Sequence, residues 1–307
     1  MENTRACKRD NNTVYIAGNE AGYLIIVKSN DRGITWQNPI EHSSLGDYQV
    51  RAIGCIPKSD GDIILLQGFK ANQEWAILRS DNGGSFNKVL YIPTTQSWAP
   101  NMYFYVSTWG EIFSSSFIDG ELRIISSNDL GLTWNIKYQY NATNSTWYGD
   151  DNQWHTLRII EGDNGVLIGN IYMKGTVDSQ SLFLFSPNRG VTWQGIPLGQ
   201  SGSNTGKFNN GLNVVRLANG IMAVMCCNTA YNDTLHIRYS LDNGNSWAIR
   251  SLANYPLVSA ITTQNTVIFS TSDNKIYRLT DIINGSPTQV ATTTYPIYDF
   301  VGFEATS

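Results

Sequence analysis

Ser29-Asn-Asp31-Arg-Gly33-Ile-Thr35-Trp36 decides the fold, because the chain writes it repeatedly. It returns as Ser127-Asn-Asp129-Leu-Gly131-Leu-Thr133-Trp134, as Ser186-Pro-Asn188-Arg-Gly190-Val-Thr192-Trp193 and as Ser240-Leu-Asp242-Asn-Gly244-Asn-Ser246-Trp247. A distorted copy, Ser80-Asp-Asn-Gly83-Gly84-Ser85-Phe86, is one residue short and ends in Phe. The leading residues Ser29, Ser80, Ser127, Ser186 and Ser240 lie 51, 47, 59 and 54 residues apart. That is the period of a four-stranded propeller blade, not of a helical repeat.

Working outward, short β-rich runs alternate with hairpin signals. Blade 2 reads Val50–Ile53, a turn at Asp60-Gly61, Ile63–Leu66, Trp75–Leu78, the octapeptide and Lys88–Tyr91. Blade 5 reads Leu212–Val215, a turn at Asn219-Gly220, Ile221–Val224, His236–Tyr239, the octapeptide and Trp247–Arg250. Blades 3 and 4 turn at Trp109-Gly110 and Asn164-Gly165. Blade 6, from Thr266 to Gln289, keeps only a degenerate copy around Thr280-Asp281 and Gly285. The expected fold is all-β: one domain over residues 1–307, a six-bladed β-propeller of four-stranded antiparallel blades.

Before its octapeptide, blade 1 shows only Thr13–Ala17 and Tyr23–Val27. The C-terminal Tyr295-Pro-Ile-Tyr-Asp echoes Tyr255-Pro-Leu-Val-Ser, which opens blade 6. The expectation is that Ile297 to Phe303 completes blade 1 beside Thr13–Ala17, closing the sheet edge, with 1–12 as an N-terminal arm.

The octapeptide resembles the Asp-box, the bacterial neuraminidase repeat of sialidase-like propellers. Within the turn, the Asp or Asn side-chain oxygen accepts backbone N–H groups and Gly adopts a conformation closed to other residues. The resemblance implies that the box joins the third and fourth strands and lies on the face opposite the usual binding site. The box tryptophans are expected to be mostly buried anchors, without a part in chemistry.

With 15% charged residues, the surface must rest largely on Asn, Ser, Thr, Gln and Tyr. A net charge of −4 argues against nucleic acid as a partner, since phosphate binding needs a basic surface. No apolar run suits membrane insertion. Cys7, Cys55, Cys226 and Cys227 do not make a disulfide framework, and Cys226 and Cys227, adjacent in a strand and so facing opposite sides, read as free thiols. The first ten residues lack the apolar core of a secretion signal. Together with the resemblance to propellers that work on extracellular glycans, this points to a virion or extracellular setting and to assembly partners.

One connector is unusually rich in chemistry: Trp147, Tyr148, Asp150, Asp151, Trp154 and His155 fall within nine residues. Aromatic faces stack on sugar C–H surfaces, and Asp and His bond hydroxyls, so this loop is the expected glycan site. Neighbouring connectors add Glu41, His42, Asp47, Tyr48, Glu74, Trp75, Trp98, Asn101, Tyr231, Asp233, Tyr255 and Tyr295.

Sialidases, the family implies, hold a carboxylate with three arginines and use a Glu-activated Tyr plus an Asp. The Tyr-Arg-Ile-Pro signature for the first arginine is missing, and Ile297–Phe303 contains no Arg. Arg51, Arg158 and Arg216 fall on inner strands, but not in one register. Catalytic residues are therefore unassigned; Asp47, Asp150, Asp151 and Asp233 are the carboxylates a glycosidase would draw on. His42, His155 and His236 are scattered, and neither a metal site nor a cofactor is expected. The reading is a non-catalytic glycan-binding propeller, as a phage receptor-binding, fibre or decoration module. The alternative is a sialidase-like glycoside hydrolase.

Overall fold

The computed structural model describes residues 2–95, 103–118, 121–141, 159–172, 181–197, 210–228 and 234–295. Six four-stranded antiparallel sheets follow one another, each made of four consecutive strands. This is the all-β, six-bladed class that the repeat predicts. Two compact units, Met1–Asn141 and Ala142–Ser307, carry three blades each.

In the first unit, blade 1 comprises β1 (Glu2–Lys8), β2 (Val14–Glu20), β3 (Tyr23–Ser29) and β4 (Ile40–His42). Blade 2 comprises β5 (Gln49–Lys58), β6 (Gly61–Lys70), β7 (Glu74–Asp81) and β8 (Asn87–Pro93). Blade 3 comprises β9 (Tyr105–Val106), β10 (Ile112–Ile118), β11 (Glu121–Ser127) and β12 (Asn135–Asn141). In the second unit, blade 4 comprises β13 (Ile159–Glu161), β14 (Leu167–Tyr172), β15 (Ser181–Ser186) and β16 (Gln194–Pro197). Blade 5 comprises β17 (Asn210–Arg216), β18 (Met222–Asn228), β19 (Thr234–Ser240) and β20 (Ala248–Leu252). Blade 6 comprises β21 (Leu257–Thr263), β22 (Thr266–Thr271), β23 (Lys275–Leu279) and β24 (Thr288–Thr292). First strands of successive blades approach each other, β1 to β5 and β17 to β21, so the first strand is the inner one.

Blade 1 corrects the expected closure. β1 pairs antiparallel with β2, matching Arg5 to Ala17 and Cys7 to Tyr15, while β3 fills the other edge of β2. The place assigned to Ile297–Phe303 is thus held by the N-terminal strand, and 1–12 is not an arm; 297–303 itself lies outside the described residues. The physical reason is local. Asp10 Oδ1 accepts the N–H groups of Asn12 and Thr13, both at 2.8 Å, and folds the chain straight back into β2. A strand joined through the five residues Arg9–Thr13 closes with a smaller loss of entropy than one at the far end of the sequence.

Apolar seams join the blades within each unit. Tyr15, Ala17, Leu24 and Ile26 of blade 1 meet Val50, Ile53, Cys55, Ile64 and Leu66 of blade 2. On the other side of blade 2, Ile56, Ile63, Leu65, Phe69 and Ile77 meet Ile112 and Ile125 of blade 3. Strand β6 is therefore covered on both faces and reads as the unbroken run Ile63-Ile-Leu-Leu66, not as an alternation. Each such side chain contributes about 1.5–3 kcal/mol. Equivalent seams join blade 4 to blade 5 and blade 5 to blade 6.

The octapeptide turns join third to fourth strands. In blade 3, Ser127 Oγ donates to Asp129 Oδ1 at 2.7 Å and accepts Gly131 N–H at 2.8 Å. Asp129 also accepts Thr133 N–H at 2.9 Å and the Thr133 hydroxyl at 2.6 Å. The pattern recurs at Asp31, Asn188 and Asp242. The residue before each Gly and the Gly itself both have positive φ, 59° and 83° at Leu130 and Gly131. The tip can thereby bury itself in the preceding blade: a Cβ on Gly131 would lie 2.7 Å from Leu65, and one on Gly244 2.3 Å from Phe185.

The tryptophans are less buried than expected. Trp36 is 42% exposed, and Trp134, Trp193 and Trp247 are half-buried. Each of these last three indoles folds back over its own turn, donating to the glycine carbonyl at 3.0–3.1 Å. One edge of the ring is thus spent on the turn. Trp247 still touches Phe183 of blade 4, with ring centroids 4.6 Å apart.

Two stability predictions follow from these turns. Gly110 has φ 86° and open space around it, whereas Gly131 has both positive φ and Leu65 against it. Gly110→Ala should cost about 1–2 kcal/mol of backbone strain, and Gly131→Ala about 3 kcal/mol once overpacking is added. Urea melts of both variants check this; equal losses would deny that the turn docks on blade 2. Separately, bonds from Thr35 and Thr133 hold the Asp31 and Asp129 carboxyls down at about 2, below the ordinary 3.8, and bonds from Ser246 depress Asp242. A depressed carboxylate contributes stability that is present above its unfolded pKa and is lost as pH falls through the folded one. Replacing all three Asp by Asn, the residue that blade 4 already uses, should flatten stability between pH about 4 and about 2, as read by thermal melts across that range.

Candidate functional site

The inner strands start on the face opposite the octapeptide turns, and there they carry irregularities. Strand β5 has one extra residue between the pairs Val50–Gly68 and Ala52–Gln67, which leaves Arg51 as the bulged residue. Similar shifts occur near the starts of β1, between Glu2 and Arg5, and in the second unit of β17 and β21. A bulge re-aims a side chain and frees it from the ladder.

Arg51 is half-buried, with its guanidinium 5.8 Å from the Phe69 ring and donating to Gln49 Oε1. Its backbone carbonyl accepts Arg5 Nε at 3.2 Å, so two guanidinium groups share one rim. Arg51 Nε is buried without an acceptor, and no carboxylate pairs with Arg51 among the described residues. Burial first, and the Arg5 charge second, push its pKa down to about 10. At neutral pH the group stays charged, and an anion beside it would relieve both penalties.

A second cluster on this face is closed. Tyr48, 3% exposed, lies flat on Gly68, where a Cβ would stand 2.7 Å from its ring. Its hydroxyl donates to Glu74 Oε1, and Lys88 Nζ reaches Glu74 at 2.7 and 2.8 Å. Lys70 sits 4.6 Å from the Tyr48 ring and 3.7 Å from Asp47. A Tyr beside a Glu has the look of an activated nucleophile. Here burial and the Glu74 bond raise the Tyr48 pKa, and the ring is sealed from solvent. The pair holds blade 2 together and is not placed to attack a substrate.

The sequence-predicted loop residues Trp147, Tyr148, Asp150, Asp151, Trp154 and His155 lie outside the described residues, as do Trp98, Asn101, Arg158, Tyr231 and Asp233. His42 is committed to packing: Nε2 contacts the Gly83 carbonyl at 3.2 Å, its ring meets Phe86 edge-on, and burial lowers its pKa. Trp75 is 1% exposed, a core residue rather than a stacking platform. Tyr255 packs against Phe269 and Tyr277, while Glu41, Asp47 and Tyr295 are exposed. Arg216 ends β17 at the turn side of blade 5 and pairs with Asp163, away from the inner-strand starts. Among the described residues, no three His, Cys, Asp or Glu side chains converge as a metal site would. Among the described residues, no helix is long and apolar enough to cross a membrane.

Sequence reasoning missed Arg5, because Glu2–Lys8 is too polar to announce a strand. The Asp10-Asn-Asn12 cluster was the available signal, since such residues mark a turn back into Thr13.

No protein-family model matches the sequence, and no curated protein matches it. Many solved structures are similar in fold. Sqt1 of Saccharomyces cerevisiae aligns at 11% identity over 96% of this chain and 75% of its own, with a TM-score of 0.57. Penicillium chrysogenum α-L-arabinanase complexed with arabinobiose aligns at 15% identity over 78% and 79%, with a TM-score of 0.48. The Hadza microbial sialidase Hz136 aligns at 15% identity over 87% and 62%, with a TM-score of 0.46. At these identities the likeness is one of fold.

Proposed function

We propose that this chain is a glycan-binding propeller that holds acidic saccharides without cleaving them. The repeated turns are, on this reading, Asp-boxes. The observation that carries the proposal is the Arg5–Arg51 rim on the face opposite those turns. Guanidinium forks match sugar carboxylates and sulfates in shape and charge. Of Glu74 and Tyr48, which resemble a reactive pair, Tyr48 is buried and Glu74 is paired with Lys88. Trp147, Tyr148, Asp150, Asp151, Trp154 and His155 would add stacking and hydroxyl contacts. The turn face supports an assembly role, as a receptor-binding, fibre or decoration module of a phage virion. It exposes apolar tips: Ile34 at 80% and Leu132 at 53% in the first unit, and Val191 at 68% in the second.

A second reading is favoured by Arg5 alone. It stands on the inner strand of blade 1, the place where a sialidase-like hydrolase acting on extracellular polysaccharide would keep an arginine.

An array of sulfated, uronic, sialylated and neutral glycans, followed by reducing-end release on the hits, tests both. Binding should favour acidic glycans and weaken with salt. Arg51→Ala should lower affinity roughly 10- to 100-fold, the worth of a charged hydrogen bond, and Arg51→Lys should restore little of it. A Trp147→Ala, Trp154→Ala double variant should weaken binding several-fold while folding normally. Preference for neutral sugars, or indifference to Arg51, would sink the acidic reading; turnover would select the hydrolase.

A further inference from the structure

Cys7 and Cys55 stand at the seam between blades 1 and 2, and the alternation of the strands brings them face to face. Arg5 and Cys7 of β1, and Arg9 just past its end, fall on one side. Arg5 reaches the Arg51 carbonyl at 3.2 Å, and Arg9 pairs with Asp62, so both flanking residues cross to blade 2. On β5, Ile53 and Cys55 belong to the seam with blade 1, whereas Ile56 belongs to the seam with blade 3. Between two cross-blade ties, the Cys7 thiol therefore meets the Cys55 thiol. Cys55 is buried, Cys7 is partly buried, and both are free.

We propose that Cys7 and Cys55 are a redox pair whose oxidation staples strand β1 to blade 2. Two S–H bonds are lost and one S–S bond forms. The two electrons and two protons pass to an external disulfide such as oxidised glutathione, which leaves as two thiols. The bond would close a loop through blades 1 and 2 and restrain β1, which is otherwise held by its ladder to β2, its packing beside β5 and side-chain ties. Burial, then the bond with Cys55, raises the Cys7 pKa well above the ordinary thiol value. The thiolate is the reactive form, so oxidation in the folded chain should be slow at neutral pH and faster as pH rises.

The test uses the full chain carrying Cys226→Ser and Cys227→Ser, incubated folded with oxidised glutathione. Trypsin should then release Ala6–Lys8 and Ala52–Lys58 as one disulfide-linked pair. The midpoint of thermal unfolding should rise by several degrees and return with dithiothreitol. Cys55→Ala should abolish both effects. Should the double serine variant not fold, the wild-type chain is mapped instead, since Cys226 and Cys227 share a different tryptic peptide. Two separate glutathione adducts, thiols that stay free, or a cross-link that forms only in urea would each overturn the pairing.

Discussion

One serine hydroxyl in each regular octapeptide does two things at once, and the blades depend on it. It donates to the Asp or Asn side chain and accepts the glycine N–H. That ties two consecutive left-handed residues into a turn that would otherwise be strained. Because the turn is pre-shaped, its glycine can lie against the preceding blade with no side chain between them. The turn then makes direct apolar contact with that blade, as between Gly131 and Leu65 or Gly244 and Phe185. Blade 2 shows what happens when a residue is lost. Ser80 there bonds the Asp81 carbonyl, and Phe86 replaces the indole, packing on His42. Blade 6 goes further, with Asp281 capping a looser turn whose carbonyls accept Arg250 of blade 5.

At the end of the inner strands opposite these turns, the ladders are irregular. There the inner strands bulge, and Arg51 is turned out of the ladder beside Arg5. Buried carboxylates elsewhere are answered in full. Asp62 accepts from Tyr15 and Arg9, and Glu111 accepts from Ser126 and Trp109 with Lys137 beside it. The arginine rim contrasts with these closed networks. At Arg51 the fold leaves the buried Nε without an acceptor, on a face where side chains are re-aimed by bulges.

The repeat made the fold legible because it is local: spacing, hairpin dipeptides and the Ser-Asp-Gly-Thr-Trp order all act within one blade. Strand β6 announced itself by four consecutive aliphatics, and the hairpins by Asp60-Gly61, Asn164-Gly165 and Asn219-Gly220. Strand β1 did not. Glu2-Asn-Thr-Arg-Ala-Cys-Lys8 has little apolar character, and it is a strand because β2 offers an unpaired edge and Tyr15, Ala17 and Cys55 cover it.

The sequence by itself determined the period, the turn chemistry and the all-β class, since these follow from short-range conformational preference. Tertiary structure decided which strand completes blade 1, how far the tryptophans are buried and which arginines meet. Those outcomes depend on residues far apart in the chain: Arg5 and Arg51 approach only after two sheets pack, and a one-residue bulge settles where Arg51 points. Register of that kind is set by packing, which leaves no mark in a single stretch of sequence.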